Sequence, residues 1–362
     1  MQSPKASLIA VVKAEAYGHG APACVLALLE EGCDFFAVSS LDEALAVRSV
    51  CDERRIDAKI LILGYTDVNL AQELATFRLT QALISYEYAK SLQAAARRAN
   101  VLLHTHIALD TGMNRLGFAG GGSEELACSA DRIAQVSLVS NLLIDGMFTH
   151  FACADDAPFF TALQSNRYAA LRRLLEERGV RIPFHHACNS TATFCRAEDH
   201  LDGVRIGILL YGVGGDLARA LSLSPVLRLK SLIAHLHRLL PGETLGYGGE
   251  FCAKDERMIA TLPVGYADGF LRAYTGAKVE IHTASGDFLA PVVGRVCMDQ
   301  LMLDVTEVPA SIGNEVTLLG SHSTPLDALA ERANTIDYES LCLIGARVPR
   351  HYIGMELCGD FG

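Results

Sequence analysis

No apolar run in this chain reaches the roughly 18 residues that a membrane-spanning helix needs. No N-terminal stretch resembles a signal peptide either, so the sequence predicts a cytoplasmic protein. Basic residues are in the minority, with 31 Lys and Arg against 42 Asp and Glu and a net charge of −11. That balance argues against a nucleic-acid or anionic-membrane surface as the partner. Cysteine is not scarce, at 11 residues, but the C-x-x-C pair is missing, the number is odd and the positions are scattered. Reduced, mostly buried thiols fit this pattern better than a disulfide or zinc framework. Tryptophan is absent altogether, which decides nothing.

The chain does have bulk: 362 residues, half of them hydrophobic, enough for one large core or two smaller ones. Up to residue 222, short apolar runs alternate with segments of helical period. The runs are 7–13, 35–39, 59–65, 80–85, 102–110, 142–150, 183–189 and 203–210. Helical stretches such as Ala21 to Glu31, Tyr86 to Asn100 and Phe159 to Arg178 lie between them. Eight strand–helix repeats in this length predict an α/β fold, a (β/α)₈ TIM barrel over residues 1–222. Beyond it, alternating segments broken by Gly, Asp and Pro predict a mostly antiparallel β-domain over 223–362. Its strand-like stretches are Val226 to His237, Met258 to Pro263, Lys278 to His282 and Glu315 to Leu319.

The first run, Ser7-Leu8-Ile9-Ala10-Val11-Val12, closes on Lys13 and continues Ala14-Glu15-Ala16-Tyr17-Gly18-His19-Gly20. A lysine at the C-terminal end of a barrel strand sits where such barrels place their chemistry. Desolvation there depresses its pKa and makes the amine usable for a Schiff base. On position alone, a lysine snorkelling at the surface is as good a reading. The A-x-A-Y-G-H-G context tips the balance, because this stretch closely resembles the lysine motif of the alanine racemase family. That family is pyridoxal-phosphate-dependent and of fold type III, so the resemblance makes Lys13 the cofactor lysine and implies the same barrel and β-domain.

Further segments match the family in order along almost the whole chain. Leu109-Asp110-Thr111-Gly112-Met113-Asn114-Arg115-Leu116-Gly117 ends the fifth strand, where an arginine can grip a carboxylate with two hydrogen bonds. By resemblance Arg115 contacts the substrate carboxylate and the cofactor's phenolic oxygen. His150 ends the sixth strand; a lone histidine there is more often structural, and the resemblance makes it part of the cofactor environment, touching Arg205. Loops after strands seven and eight of such barrels frequently bind phosphate. Glycine-flanked N–H groups and a hydroxyl suit a phosphate dianion, so Ser190, Gly207 and Ile208 are candidates, with Tyr17 adding its hydroxyl. Leu63 and Asn189 join the cofactor-binding set. Arg205 matches an arginine set against the pyridine nitrogen; being unable to accept a proton, it keeps the ring a weak electron sink and suppresses transamination.

In the β-domain, Tyr247 and Met298 lie in Leu245-Gly246-Tyr247-Gly248-Gly249-Glu250-Phe251 and Gly294-Arg295-Val296-Cys297-Met298-Asp299-Gln300. Glycine-flanked tyrosines usually belong to turns. The resemblance instead makes Tyr247 the second base, reaching across a homodimer interface, with Arg272 tuning it and Met298 near the opposite subunit's substrate. Tyr266, Cys297 and Asp299 are expected as supporting residues. The implied activity is interconversion of L- and D-alanine by two-base proton exchange on pyridoxal 5'-phosphate, supplying D-alanine for peptidoglycan. The alternatives are a serine-preferring or broad-specificity racemase, a non-catalytic pyridoxal-phosphate-binding barrel, and a metal hydrolase built on His104, His106, His185 and His186.

Three departures stand out. Ala108 occupies a position where many members carry a carbamylated lysine beside the arginine, so a bound anion or solvent is expected in its place. Strand alternation puts His104, His106, Ala108 and Asp110 on one face, with His106 available to help hold such an ion. Ala346 replaces a tyrosine that narrows the substrate pocket. About 35 residues that precede the cofactor lysine in the family are missing, which implies a misplaced start or an exposed sheet edge.

Overall fold

The structure, a computed structural model, describes residues 6–354. They fall into two compact units: residues up to Ala16 with Gly20–Gly207 and the segment from Tyr352, and Tyr17–His19 with Ile208–His351.

The first unit is a closed parallel barrel. Its strands are β1 (Ser7–Val11), β2 (Phe35–Val38), β3 (Lys59–Ile62), β4 (Thr80–Leu83), β5 (Leu103–Asp110), β7 (Leu142–Phe148), β8 (Phe184–His186) and β9 (Gly203–Ile206). A two-residue strand, β6 (Phe118–Ala119), adds to β5 on the arginine-bearing loop. Each neighbour pairs in parallel, and β1 against β9 closes the ring. Strands β2 and β9 are buried along their whole length, as expected of strands covered on both faces. Helices α2 (Ala21–Glu30), α3 (Leu41–Glu53), α4 (Ala71–Thr76), α5 (Tyr86–Ala99), α6 (Ser123–Ser137) and α7 (Pro158–Glu177) connect the strands. Side-chain caps at Ser40 and Ser85 start α3 and α5 by accepting backbone N–H bonds, and Asn100 in the left-handed region stops α5.

All eight expected strands are present, but most are shorter at their C-terminal ends. The first stops at Val11, two residues before Lys13, because the backbone turns left-handed. Ala14, Glu15, Ala16 and Tyr17 have φ between 51° and 55°, forming a short left-handed helical turn, α1 (Lys13–Gly18). Four consecutive non-glycine residues there cost roughly 1–2 kcal/mol each. A shift of register on β5 after Thr105 leaves Asp145 of β7 unpaired. His104 lies exposed against Asp145 (2.5 Å), while His106 is buried.

The second unit holds an antiparallel sheet in the order β10-β18-β15-β16-β17-β14-β11. Its strands are β10 (Leu229–Leu232), β11 (His235–Leu239), β14 (Arg257–Leu262), β15 (Lys278–Thr283), β16 (Gly286–Val293), β17 (Leu301–Asp304) and β18 (Glu315–Leu319). The single run expected over Val226 to His237 is two strands that pair with different partners, β18 and β14. A separate ribbon, β12 (Thr244–Leu245) with β13 (Phe251–Cys252), brackets Tyr247. No described helix is long and apolar enough to cross a membrane.

Candidate active site

At the C-terminal end of the barrel, Arg205 of β9 is buried in a polar socket. Its Nη1 donates to His186 Nδ1 (2.7 Å) and the His186 carbonyl (3.1 Å). Its Nη2 donates to the carbonyls of Thr149 (2.7 Å) and Ala187 (2.9 Å), and to His150 Nδ1 (3.3 Å). Among the described residues no carboxylate pairs with this arginine, and no residue accepts from its Nε–H. Burial lowers the guanidinium to about 10, so it stays charged at neutral pH. Its charge is met by carbonyl and imidazole dipoles, which cannot take a proton from it.

The socket also fixes histidine tautomers. Arginine only donates, so His186 must accept at Nδ1 and carry its proton on Nε2. That Nε2–H then donates to His106 Nδ1, 2.9 Å away. Burial, with Arg205 adding repulsion, pushes His186 well below its usual range, and His106 drops to about 3 from burial and nearby positive charge. The chain Arg205–His186–His106 is thus a neutral relay behind a fixed cation. Sequence reading flagged both histidines as possible metal ligands and His106 also as a contact for an anion, not as partners of Arg205.

His150 sits where three cations converge. Burial first, then Arg205, Arg115 and Lys13, lower it to about 3. Its loop is held by Gln164, which donates to the His150 carbonyl and to Thr111 Oγ1 (both 3.1 Å) and accepts from Ala152 N–H (2.9 Å). Gln164 and Thr149 had no local signal in sequence, since their partners lie on other elements. Arg115 rides on a turn built by Asp110, whose carboxylate accepts N–H bonds from Gly112 (2.9 Å), Asn114 (3.0 Å) and Arg115 (3.1 Å). Gly117 is required here: its φ is +128°, and a Cβ would lie 2.7 Å from the Asp110 nitrogen. Ala108 is packed in an apolar cluster with Ala82 and Phe148, against Leu63, Ile84 and Leu116. Leu63 is a wall of that cluster.

Asn189 caps α8 (Ser190–Cys195) by accepting from Ala192 N–H (3.0 Å), and Ser190 Oγ accepts from Gly207 N–H (2.9 Å). Ser190 and Gly207, from the loops after β8 and β9, are therefore in contact. Ile208 follows Gly207 and opens a short 3-10 turn. Tyr17 is buried against Tyr211 and Tyr338, which pushes its phenol above the ordinary range.

In the second unit, Tyr247 is 72% exposed on a turn between Gly246 and Gly248, both at positive φ. Arg295, which pairs with Glu250, crowds Gly248: a Cβ there would stand 3.0 Å from its guanidinium. The Glu250 carboxyl is lowered by Arg295, with Arg272 contributing. No described hydrogen bond or ion pair joins Arg272 to Tyr247. Tyr266 N–H donates to the Cys297 carbonyl (3.0 Å), and Ala267 N–H to that of Met298 (3.1 Å). Gly265 permits this approach, since a Cβ would fall 2.3 Å from the Cys297 oxygen. Arg347 forks onto Asp268 (2.7 and 3.0 Å) and reaches Asp299 (2.7 Å), tying three loops together. Met298 and Ala346 are exposed on them.

A closed (β/α)₈ barrel with a lysine just past β1, paired loops at Ser190 and Gly207, and a buried arginine with one spare donor defines a class. It is that of barrel enzymes that bind pyridoxal phosphate. The fit rests on Arg205: its remaining Nε–H suits an acceptor nitrogen of an aromatic ring.

Residues 1–214 match the model of the alanine racemase N-terminal domain, and 226–352 that of its C-terminal domain. Alanine racemase 1 of Clostridium acetobutylicum is 40% identical over 355 residues, covering 96% of this chain and 89% of that protein. The alanine racemase of Clostridium tetani is 41% identical over 356 residues, covering 96% and 89%. Among solved structures, alanine racemase from Clostridium difficile 630 superposes with a TM-score of 0.87 at 33% identity, covering 96% and 88%. That from Streptomyces coelicolor A3(2) gives 0.89 at 30% identity, covering 97% and 93%. The chain belongs to the alanine racemase family. It is a pyridoxal-phosphate-dependent isomerase that interconverts L- and D-alanine.

Proposed function

We propose that the reaction runs with two bases on opposite faces of the substrate, Lys13 on one and Tyr247 on the other, in a homodimer whose active sites are shared. The observation that carries this reading is the positive charge around His150, where Arg205 is in contact at 3.3 Å and Arg115 and Lys13 add their fields, which suits an anionic cofactor and a carboxylate substrate. The cofactor, when bound, supplies an electron sink for negative charge at the substrate's α-carbon. Lys13 would hold it, with Ser190, Gly207, Ile208 and Tyr17 toward its phosphate and Arg205 toward its ring nitrogen. Leu63, His150 and Asn189 complete its surroundings. Because Arg205 cannot accept a proton, it limits how much charge the ring withdraws. Arg115 orients the substrate through its carboxylate. The Lys13 amine takes or returns the α-proton on one face, and the partner subunit's Tyr247 does so on the other. Exposure of Tyr247 in the single chain supports a role completed by a second copy. Arg272, Tyr266, Cys297, Asp299 and Met298 would shape that second half-site. The D-alanine product serves peptidoglycan.

Lys13→Ala should abolish racemisation together with the visible absorbance of bound cofactor. Tyr247→Phe should keep the cofactor and lose exchange on one face, seen as solvent deuterium entering one enantiomer far faster than the other. Mixing the two inactive variants should restore activity, because each mixed dimer holds one intact site, about one quarter of all sites at random pairing. A mixture as dead as its components would reject the shared site.

A further inference from the structure

We propose that Glu43, in the first turn of α3, is a positioning residue that holds the left-handed turn carrying Lys13. The inference rests on the reading of Lys13 as the cofactor lysine. In sequence, Ser40-Leu41-Asp42-Glu43 is an ordinary capping box, in which the glutamate would return to its own helix's first N–H. Only half of that box forms: Glu43 N–H donates to Ser40 Oγ (3.4 Å). The carboxylate is used elsewhere. Its Oε2 accepts from the Ser39 N–H (2.7 Å) and hydroxyl (2.9 Å), which fixes the side chain. Its Oε1 accepts from Ala14 N–H at 2.7 Å.

That N–H belongs to the peptide joining Lys13 to Ala14. It lies past the end of β1, and the turn's own bonds, Ala16 N–H to Val12 and Gly20 N–H to Glu15, do not use it. Four left-handed residues persist only where their surroundings over-determine them. Glu15 supplies one tie from within the segment, accepting from Ala21 N–H at 3.0 Å. Glu43 supplies a tie from a different element, directly beside the reacting residue. A charged acceptor makes this bond one of the strong ones. The direction of the Lys13 side chain is therefore set by α3, and small displacements of a reacting group are expensive in rate.

Holoenzyme carrying Glu43→Ala, Glu43→Gln or Ser40→Ala separates positioning from helix capping. The readouts are cofactor dissociation, followed by absorbance during dialysis, kcat and KM for alanine, and melting temperature. For Glu43→Ala, cofactor affinity and kcat should each fall about tenfold or more, the scale of one lost charge-assisted bond, with KM little changed. Glu43→Gln keeps one acceptor oxygen but sets an amide N–H against the Ser39 donors, so it should fall between. Ser40→Ala should lower the melting temperature while leaving cofactor affinity and kcat as they were. Wild-type cofactor affinity and kcat in Glu43→Gln and in any folded Glu43→Ala would overturn the proposal. So would losses no greater than those of Ser40→Ala. If Glu43→Ala does not fold, Glu43→Gln decides by the same criteria. Racemisation by Lys13→Ala would instead reject the underlying assignment, whereas a dead Lys13→Ala beside normal Glu43 variants rejects this inference alone.

Discussion

At position 346 the chain carries an exposed methyl group where the family resemblance places a pocket-narrowing tyrosine. Its neighbour Arg347 is anchored to Asp268 and Asp299, so the backbone that presents residue 346 is held in place. Removing an aromatic wall should admit a hydroxymethyl side chain at modest cost. A pocket that tolerates one extra small group discriminates by only about 1–3 kcal/mol, or roughly 10–200-fold. We expect measurable serine racemisation, and a lower serine-to-alanine ratio of kcat/KM in Ala346→Tyr. An unchanged ratio would remove this residue from the determinants of specificity. Ala108 is the contrasting case. Its place on β5 is filled by apolar packing with Ala82 and Phe148, and the Asp110 turn next along the chain holds the Arg115 backbone through its N–H.

Between elements, the contact of β5 with β7 shows how closely the relay is fitted. Gly146 of β7 lies under the His106 imidazole, and a Cβ there would stand 2.5 Å from Cε1 and 2.6 Å from both ring nitrogens. Gly146→Ala must push the ring away from His186 and strain the core, at a cost of about 1–3 kcal/mol. Denaturant midpoints can read this. In the double variant with His106→Ala, the added methyl group meets no ring, so the two losses should be clearly less than additive. Full additivity would mean that the clash is relieved in some other way. The same pair explains why the glycine was not legible: a glycine within a strand reads as a bulge or a close approach, and which one depends on the strand beside it.

For the whole molecule, four histidines held neutral by burial set an acid limit on stability. Burial lowers His106 and His150 to about 3, His186 well below its ordinary range and His185 below it, whereas in the unfolded chain all four titrate near 6.5. Above that value both states are neutral and the histidines have no effect. As pH falls below it, the unfolded chain binds protons that the folded chain does not. Stability should then drop by about 1.4 kcal/mol per pH unit for each group. Unfolding midpoints of the cofactor-free protein at pH 7.5, 6 and 5 test this above the range where carboxylates dominate. A flat profile between pH 7.5 and 5 would show that none of these histidines stays neutral in the folded chain.

The sequence by itself determined the barrel and the antiparallel sheet, because strand–helix alternation is a local signal, readable in a window of a dozen positions. The short motifs around Lys13, Arg115 and Arg205 are equally local and carry the resemblance to the family. Only the tertiary structure decided what those residues touch. The capping box at Ser40 leaves its glutamate carboxylate on the Lys13 turn, 29 positions away in sequence. His186 and His106, 80 positions apart, become one relay only because β8 and β5 lie side by side with β7 around the ring. The left-handed turn of Ala14 to Tyr17 had no propensity to foretell it, since none of its four residues is glycine. Its strain is balanced by long-range hydrogen bonds, which a local pattern does not encode.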